Sequence, residues 1–534
     1  LGFRTPVLKD KLFLGVSGLL SKDDGYYVNE FDDSSFDKQT AFSANYTLRY
    51  LPNSRLALNL NIKHLANRNN GPFPMVSSLE EALANPFVLN QNAVTRMVDN
   101  SLNTSFAVNY SASAFNFTSH TSYQTNHRFY EQPIDGDFSP LDIVSIINNY
   151  GDNWNKVRVA AQEFRLASSA ASQSRVRWTT GVYLFYQDNP VKQGTHFGAD
   201  AGVYQAPENA TSITINTGKN TGAALFAEAV YELNPKIDLG LGLRYDYEHK
   251  KQTVRGEFVP YGQEMMVTRG DTSTTAGFNA FSPKLSLTFR PSEGYNFYTT
   301  YSRGFRAGGI SPLSSDPNQP PLHIYLPEYS DNIEVGVKHV FPGQKLRINA
   351  AVFYTWINNS QIPTLVLPEA ITLTRNAGKL RSKGVEFELL SHPFKNFETT
   401  YNFGFTDARF TEWNISSKGA VAAFSGNRQI FTPDITSLLA LQYGYNVSEN
   451  RKLRLTMRGE WHYLGDQYFD AANAIKQEGY HLLNLRAGFT APKYTLSVWG
   501  KNLTDKAYVD YAYDFGAVHL GNPRTVGISV TTRF

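Results

Sequence analysis

The chain has 534 residues, and its 50 Lys and Arg against 47 Asp and Glu leave a formal charge of only +3, so nothing favours nucleic acid as the main partner. Cys is absent, which excludes a disulfide framework, thiol catalysis and a cysteine metal site. No apolar run approaches the ~18 residues of a membrane helix, a lack that a barrel of alternating strands shares.

Leu1 to Asp10 has neither the charged start nor the apolar stretch of a secretory signal, so a signal is expected upstream of Leu1. From there on, period two dominates. Phe42, Ala44, Tyr46, Leu48 and Tyr50 alternate with Ser43, Asn45, Thr47 and Arg49, and after a turn at 51–54 come Leu56, Leu58, Leu60 and Ile62. Ala223, Leu225, Ala227, Ala229, Tyr231 and Leu233 share one face, with Glu228 on the other. Only Asn234, Pro235 and Lys236 separate them from Ile237, Leu239, Leu241, Leu243, Tyr245 and Tyr247, so a tight hairpin is predicted. Leu346, Ile348, Ala350, Val352, Tyr354 and Trp356 repeat the pattern, as do Leu483, Leu485, Ala487 and Phe489, then Tyr494, Leu496 and Val498. Val526, Ile528, Val530 and Phe534 close the chain.

About twenty such segments are expected, each near the ~10 residues that a tilted membrane strand needs. Short turns are predicted near 52, 113, 172, 235, 292, 343, 394, 449 and 492. Long loops are predicted at 21–38, 66–100, 131–155, 189–219, 250–276, 306–328, 358–380, 409–433, 465–479 and 509–523. A soluble sandwich has no reason to alternate short and long. A transmembrane barrel does, with short periplasmic turns and long external loops. In lipid every backbone N–H and C=O must be bonded within the protein, which demands closure. Charged residues on the inner face, such as Arg49, Lys63, Arg244, Glu334, Lys338, Arg347, Glu386, Glu388 and Arg486, would be costly in lipid and cheap in a wet lumen. The 31 Tyr and 36 Phe suit strands and membrane interfaces.

Several stretches resemble the barrel of TonB-dependent receptors: Phe281 to Pro291 (FSPKLSLTFRP), Tyr301 to Gly309 (YSRGFRAGG), Pro327-Glu328 with Glu334 to Lys338, and Asn376-Ala-Gly378 with Gly384 to Glu388. Lys501 to Tyr508 (KNLTDKAY) and Gly521 to Phe534 are very similar to the family's last hairpin. The resemblance implies an all-β fold, a large antiparallel transmembrane β-barrel with about 20 strands present of an expected 22. Family members carry an N-terminal plug and a short TonB-contacting box. Leu1 to Ser17 resembles the end of the family's second strand, a turn and its third strand. Residues 1–534 therefore read as the barrel domain, with plug and first strands expected ahead of Leu1.

No HExxH, P-loop or nucleophile elbow appears, so no enzyme, catalytic residue, metal site or cofactor is expected. Asp23-Asp24 and Asp32-Asp33 read as solvated loop charge, and Glu386 and Glu388 as members of a lumen salt-bridge network or a plug contact. In this family external loops and plug apex form the ligand site. The loop residues of suitable chemistry are His127, Arg128 and Tyr130; Arg303, Phe305 and Arg306; Arg375 and Asn376; and Tyr508, Tyr511, Tyr513 and His519. Arg pairs with carboxylate or catecholate chelates, and aromatics stack on flat ligands. Tyr near strand ends equally suits the interfacial girdle. Arg306 is the favoured Arg, while Gly304, Gly308 and Gly309 serve backbone geometry. The resemblance implies active import of a ferric siderophore across the outer membrane of a Gram-negative bacterium, with the TonB–ExbB–ExbD complex pulling on the plug and outer-membrane lipid around the barrel. The alternatives are a passive porin, importers of cobalamin, haem or oligosaccharide, and an outer-membrane enzyme, for which no paired nucleophile and base is found.

Overall fold

The computed structural model describes residues 1–533 except 72–73, 313–320, 367–370, 414–415, 418–419, 422–423 and 451. Twenty-three strands join one sheet. Two of them, Ile134–Asp135 and Val144–Asn148, form a small hairpin on one wall strand, which leaves 21 in the wall. In chain order these are β1 Gly2–Leu8, β2 Leu12–Asp23, β3 Gln39–Asn53, β4 Leu56–Asn70, β5 Arg96–Ser111, β6 Phe115–Tyr130 and β7 Lys156–Ser168. Next come β8 Val176–Phe197, β9 Ala210–Asn234, β10 Ile237–Val259, β11 Met266–Phe289, β12 Tyr295–Arg306, β13 Glu328–Val340 and β14 Leu346–Asn358. Last are β15 Gly378–Ser391, β16 Phe397–Trp413, β17 Ile435–Ser448, β18 Leu453–Leu464, β19 Tyr480–Thr490, β20 Tyr494–Lys501 and β21 Thr525–Thr532. Each pairs antiparallel with its chain neighbours, the up-and-down order that short turns permit. Among the described residues no helix is long and apolar enough to cross a membrane, which says nothing about strands.

The registers fix which side chains share a face. Leu225, Leu243 and Leu285 lie opposite Tyr245, Ala227 and Leu241 or Tyr301 on neighbouring strands. The outward set stays open to the surroundings, with Leu225 59%, Leu241 56%, Val335 52% and Val352 51% exposed. These apolar faces are therefore no dry sandwich interior; they form the encircling band of the transmembrane barrel that the alternation predicts. The nine predicted lumen charges all fall on the other face. There Tyr298 donates to Glu334 at 2.7 Å, Asn349 to Glu388 at 2.8 Å and Arg486 to Ser497 at 3.1 Å. Glu388 is thus held by an amide, where the sequence leads one to expect a lumen salt-bridge network or a plug contact.

The short turns fall where predicted, and residues 9–11 form the turn between β1 and β2 that the resemblance of Leu1 to Ser17 implies. Two predicted loops are too long. The segment 189–219 is mostly strand, since β8 runs to Phe197 and β9 starts at Ala210. The segment 250–276 shrinks likewise, as β10 runs to Val259 and β11 starts at Met266. Above the apolar band no face needs to be greasy, so alternation lapses while ladder hydrogen bonding continues.

Residues 11–20 and 524–533 do not pair directly, because β1 lies on β2, and among the described residues β21 pairs only with β20. The wall nevertheless curls back on itself above this seam. Val76 and Val518 exchange both backbone hydrogen bonds at 2.9 Å, joining a loop near the chain's start to the last long loop. Phe534 lies outside the described residues.

Candidate ligand-binding site at the barrel mouth

Packed loops cover the long-loop end. One buried cluster gathers Tyr27, Val76, Leu89, Phe469, Val509, Val518 and Leu520. A second gathers Ile362, Ala377, Leu380, Phe410 and Trp413. Ser78 caps a short helix, Leu79–Ala84, by accepting from Glu81 N–H at 3.2 Å. Asp23 and Asp32 accept from Gly25 and Ser34 N–H, the role of turn-forming carboxylates. A run of aromatic contacts crosses these loops. Phe469 meets Phe431 edge-on at 5.3 Å, Phe431 stacks on Tyr511 at 5.2 Å, and Tyr511 meets Tyr513 edge-on at 5.3 Å. Tyr513 stacks on Phe515 at 5.0 Å, and Phe515 on Phe138 at 6.1 Å.

One cavity opens beside this run and a second lies apart from it. The first, about 490 Å³, is lined by Arg128, Tyr130, Asp135, Phe138, Asn148, Gln193 and Tyr513, among others. Arg128 donates from Nε and Nη2 to Asp99 at 2.9 and 2.7 Å, and Asn126 donates to the same carboxylate at 2.6 Å. Asp99 is 5% exposed while the Arg128 side chain is 58% exposed, so the guanidinium is oriented yet open on one side. Burial, with Asp137 alongside, pushes Asp135 up to about 7, against backbone N–H donors from Phe138, Asp137 and Asn92 that pull it down. Burial chiefly, then Tyr511 and Tyr130, pushes Tyr513 up to about 12.

The second cavity, about 630 Å³, faces the lumen and is lined by Arg244, Asp246, Glu248, Lys250, Arg306, Tyr325 and Gln361, with Arg303 and Phe305 at its edge strand. Arg244 is forked by Asp246 at 2.7 to 3.0 Å, and Lys250 donates to Gly308 carbonyl at 2.8 Å. Gly308 and Gly309 are required by close approach: an added Cβ would lie 2.4 Å from Tyr325 O or 2.2 Å from the Tyr325 hydroxyl.

The structure thus brings Arg128, Tyr130 and Tyr513 together in one cavity and places Arg303, Phe305 and Arg306 on the lining of the other. Tyr511 continues the aromatic run. His127 alternates to the opposite face from Arg128, where it packs 4.7 Å from Phe129. Arg303 shares a face with Ile333 and Val335, forking Asp331 at 2.8 and 3.1 Å, and Phe305 packs on Tyr329 there at 5.6 Å. Asn376 is consumed as a clamp, donating to Leu326 and Asn359 carbonyls and accepting from Leu326 N–H. Arg375 beside it has a buried Nη2 without a hydrogen-bond partner among the described residues. Tyr508 stacks on Tyr480 at 4.5 Å, and His519 stacks on Tyr27 at 5.5 Å and hydrogen-bonds Pro74 O at 2.9 Å. Sequence reasoning missed Asp99, Asp135, Phe138, Lys250 and Gln361. A lone loop Asp looks the same whether solvated or buried; the Asp-Gly-Asp turn at 135–137 was the only local signal.

The family described as "TonB dependent receptor-like, beta-barrel" matches residues 13–503. The ferrichrome outer membrane transporter/phage receptor of Escherichia coli (strain K12) is 23% identical over 353 residues, 65% of this chain and 42% of that relative. The ferrioxamine B receptor of Salmonella typhimurium (strain SL1344) is 25% identical over 270 residues, 49% of this chain and 36% of that relative. The chain therefore spans under half the length of these relatives. Among solved structures, the ferric yersiniabactin uptake receptor FyuA from Yersinia pestis superposes with a TM-score of 0.82 at 18% identity, over 100% of this chain and 77% of that one. With the family matched over most of the wall, and with the strand order and outward apolar band described above, the chain belongs to the β-barrel family of TonB-dependent receptors.

Proposed function

We propose that this chain is the barrel wall of an outer-membrane receptor of a Gram-negative bacterium that binds a ferric siderophore at its loops and imports it. In this reading a plug stands within the lumen and couples the receptor to the TonB–ExbB–ExbD complex; the wall catalyses no covalent chemistry. The observation that carries the reading is the mouth: an open Arg128 guanidinium beside Tyr130, Phe138 and Tyr513, above a lumen lined with paired charge. A cation with free N–H groups pairs with the anionic oxygens of an iron chelate, and the aromatics cover its flat faces. The relatives named for ferrichrome, ferrioxamine B and ferric yersiniabactin support the same ligand class.

The test is a titration of the detergent-solubilised full chain with a panel of hydroxamate, catecholate and carboxylate ferric chelates, read by quenching of intrinsic fluorescence. Saturable binding of one class, weakened about tenfold or more by Arg128→Met, is expected. Binding of haem, cobalamin or an oligosaccharide in place of every chelate would move the ligand class. Absence of any binding, with steady conductance of the complete gene product in planar bilayers, would make it a passive pore.

A further inference from the structure

Asp135 sits in the hairpin Ile134–Asp135/Val144–Asn148 and is 3% exposed. Its two oxygens are used unequally. Oδ1 accepts from the backbone N–H groups of Asp137, at 3.0 Å, and Phe138. Oδ2 is buried and has no hydrogen bond of ordinary geometry among the described residues, since the Asn92 N–H that also draws on the carboxylate donates to Ser139 O at 3.2 Å. The carboxylate borders the 490 Å³ cavity, together with Tyr130, Phe138 and Tyr513. The titratable groups that face it are already committed or are phenols. Arg128 is forked onto Asp99, and Asp137 accepts from Val144 N–H at 3.0 Å and from Ser139. A buried carboxylate oxygen with no donor is costly, and no cation on the described chain relieves it.

We propose that this cavity is a subsite for an ammonium group carried on an aryl or short alkyl arm of the ligand, with Asp135 Oδ2 accepting its N–H and the rings of Tyr130, Phe138 and Tyr513 enclosing the arm. An ammonium supplies both the missing donor and the missing charge. The aromatic rims favour a cation over their faces. The volume suits a ring with a short chain. At the Asp135 end of the cavity an anion is disfavoured because the two nearest unneutralised groups, Asp135 and Asp137, are acidic; anionic oxygens of the ligand belong at Arg128 on the same cavity. A hard metal ion is disfavoured because one free carboxylate oxygen falls far short of the ~6 oxygen ligands it needs. The proposal deepens the reading of the mouth as the ligand entrance and rests on it for biological meaning, but its test does not need the iron chelate.

The probe is benzylammonium, titrated calorimetrically into the detergent-solubilised full chain, with benzyl alcohol as its neutral counterpart. Saturable binding of benzylammonium at about pH 8 is expected, at least ~10-fold tighter than that of benzyl alcohol. Asp135→Asn keeps an oxygen for the two turn N–H groups and replaces Oδ2 by a donor, so the preference should vanish. Because protonation of Asp135 removes the charge, wild-type affinity should fall as pH drops from about 8 to about 6. Equal binding of amine and alcohol, equal binding to Asp135→Asn, or no saturable amine binding would overturn the proposal. If Asp135→Asn fails to assemble, judged by loss of heat-modifiable migration, the wild-type pH series decides alone, and a flat series overturns it. Ferric chelate binding that survives while benzylammonium fails would sink this subsite and leave the proposed function standing; the converse would sink the function alone.

Discussion

Replacing Tyr27 by Phe isolates one hydrogen bond at the point where loops from the two ends of the wall meet. The Tyr27 ring is 2% exposed, stacks on His519 at 5.5 Å and meets Phe87 edge-on at 5.4 Å, and Phe keeps all of that. What it loses is the phenol oxygen, which accepts from Leu520 N–H at 2.8 Å and lies 3.3 Å from His519 Nδ1. His519 Nδ1 keeps its bond to the Pro74 carbonyl, an acceptor only, so Nδ1 carries the proton and stays satisfied. Leu520 N–H, in a residue 1% exposed, has nowhere else to go. A buried donor left unmade costs about 1–3 kcal/mol. The loss is local, to the contact between loop 24–38 and loop 509–521, so it should appear as faster amide exchange there by about 5- to 150-fold, with the lower strands unchanged. Tyr27→Ala adds a cavity in the cluster and should cost about 3–5 kcal/mol. Hydrogen exchange followed by mass spectrometry measures both. Unchanged exchange in 509–521 for Tyr27→Phe, or identical profiles for Phe and Ala, would refute the claim that this hydroxyl ties the two loops.

Other outcomes follow from the same geometry. Arg128→Met strands Asp99 with only neutral donors, and segments 96–101 and 126–132 should exchange faster by an amount equivalent to about 1–3 kcal/mol; Asp99→Asn in the Met background should restore part of it. Gly521→Ala puts a methyl 2.1 Å from the Tyr508 ring, so proteolytic nicking at 502–524 should rise, while Gly516→Ala, which meets nothing within 4 Å, should be limited to the strain of its positive φ. The folded pKa of Asp135, about 7, lies above its ordinary value of 3.8, so the folded loop holds a proton that the unfolded loop releases. Loop stability should therefore decline as pH rises from about 4 through about 7 and level off above, and Asp135→Asn should flatten the profile measured by hydrogen exchange corrected for intrinsic rates. Leu241→Arg places a charge in the outward band and should cost about 2–4 kcal/mol in urea titrations of vesicle-inserted protein, whereas Ser286→Arg on the lumen face should cost far less.

How much of this was legible in the sequence depends on what each residue is near in the chain. The wall was legible because alternation is a local property: Leu239, Leu241 and Leu243 declare a face with no knowledge of their partners, and Asn234-Pro235 declares the turn. It failed where lipid stops imposing the rule. The upper parts of β8 to β11 lose the long apolar alternation and look like loops in sequence, yet β8 to β10 pair residue for residue and β10 pairs with β11 through two register shifts. The same limit governs the mouth. Arg128 was readable as an anion-binding cation, but its orientation comes from Asp99, 29 residues away in sequence and across a strand pair. His127, its chain neighbour, looked equally suitable and faces the other way, because period two separates adjacent residues whatever their chemistry. His519 and Asn376 had ligand-binding chemistry too, and the fold spends it on Pro74, Leu326 and Asn359 instead. Asp135 is the opposite case, an ordinary loop aspartate by sequence whose one idle oxygen exists only because the fold buries it beside a cavity that Phe138, Asn148 and Tyr513 also line. Chemistry-bearing side chains in these loops therefore divide into those whose hydrogen-bonding capacity is exhausted inside the fold and those left with capacity facing a cavity. Only the second kind can select a ligand, and only three-dimensional accounting of donors and acceptors separates the two.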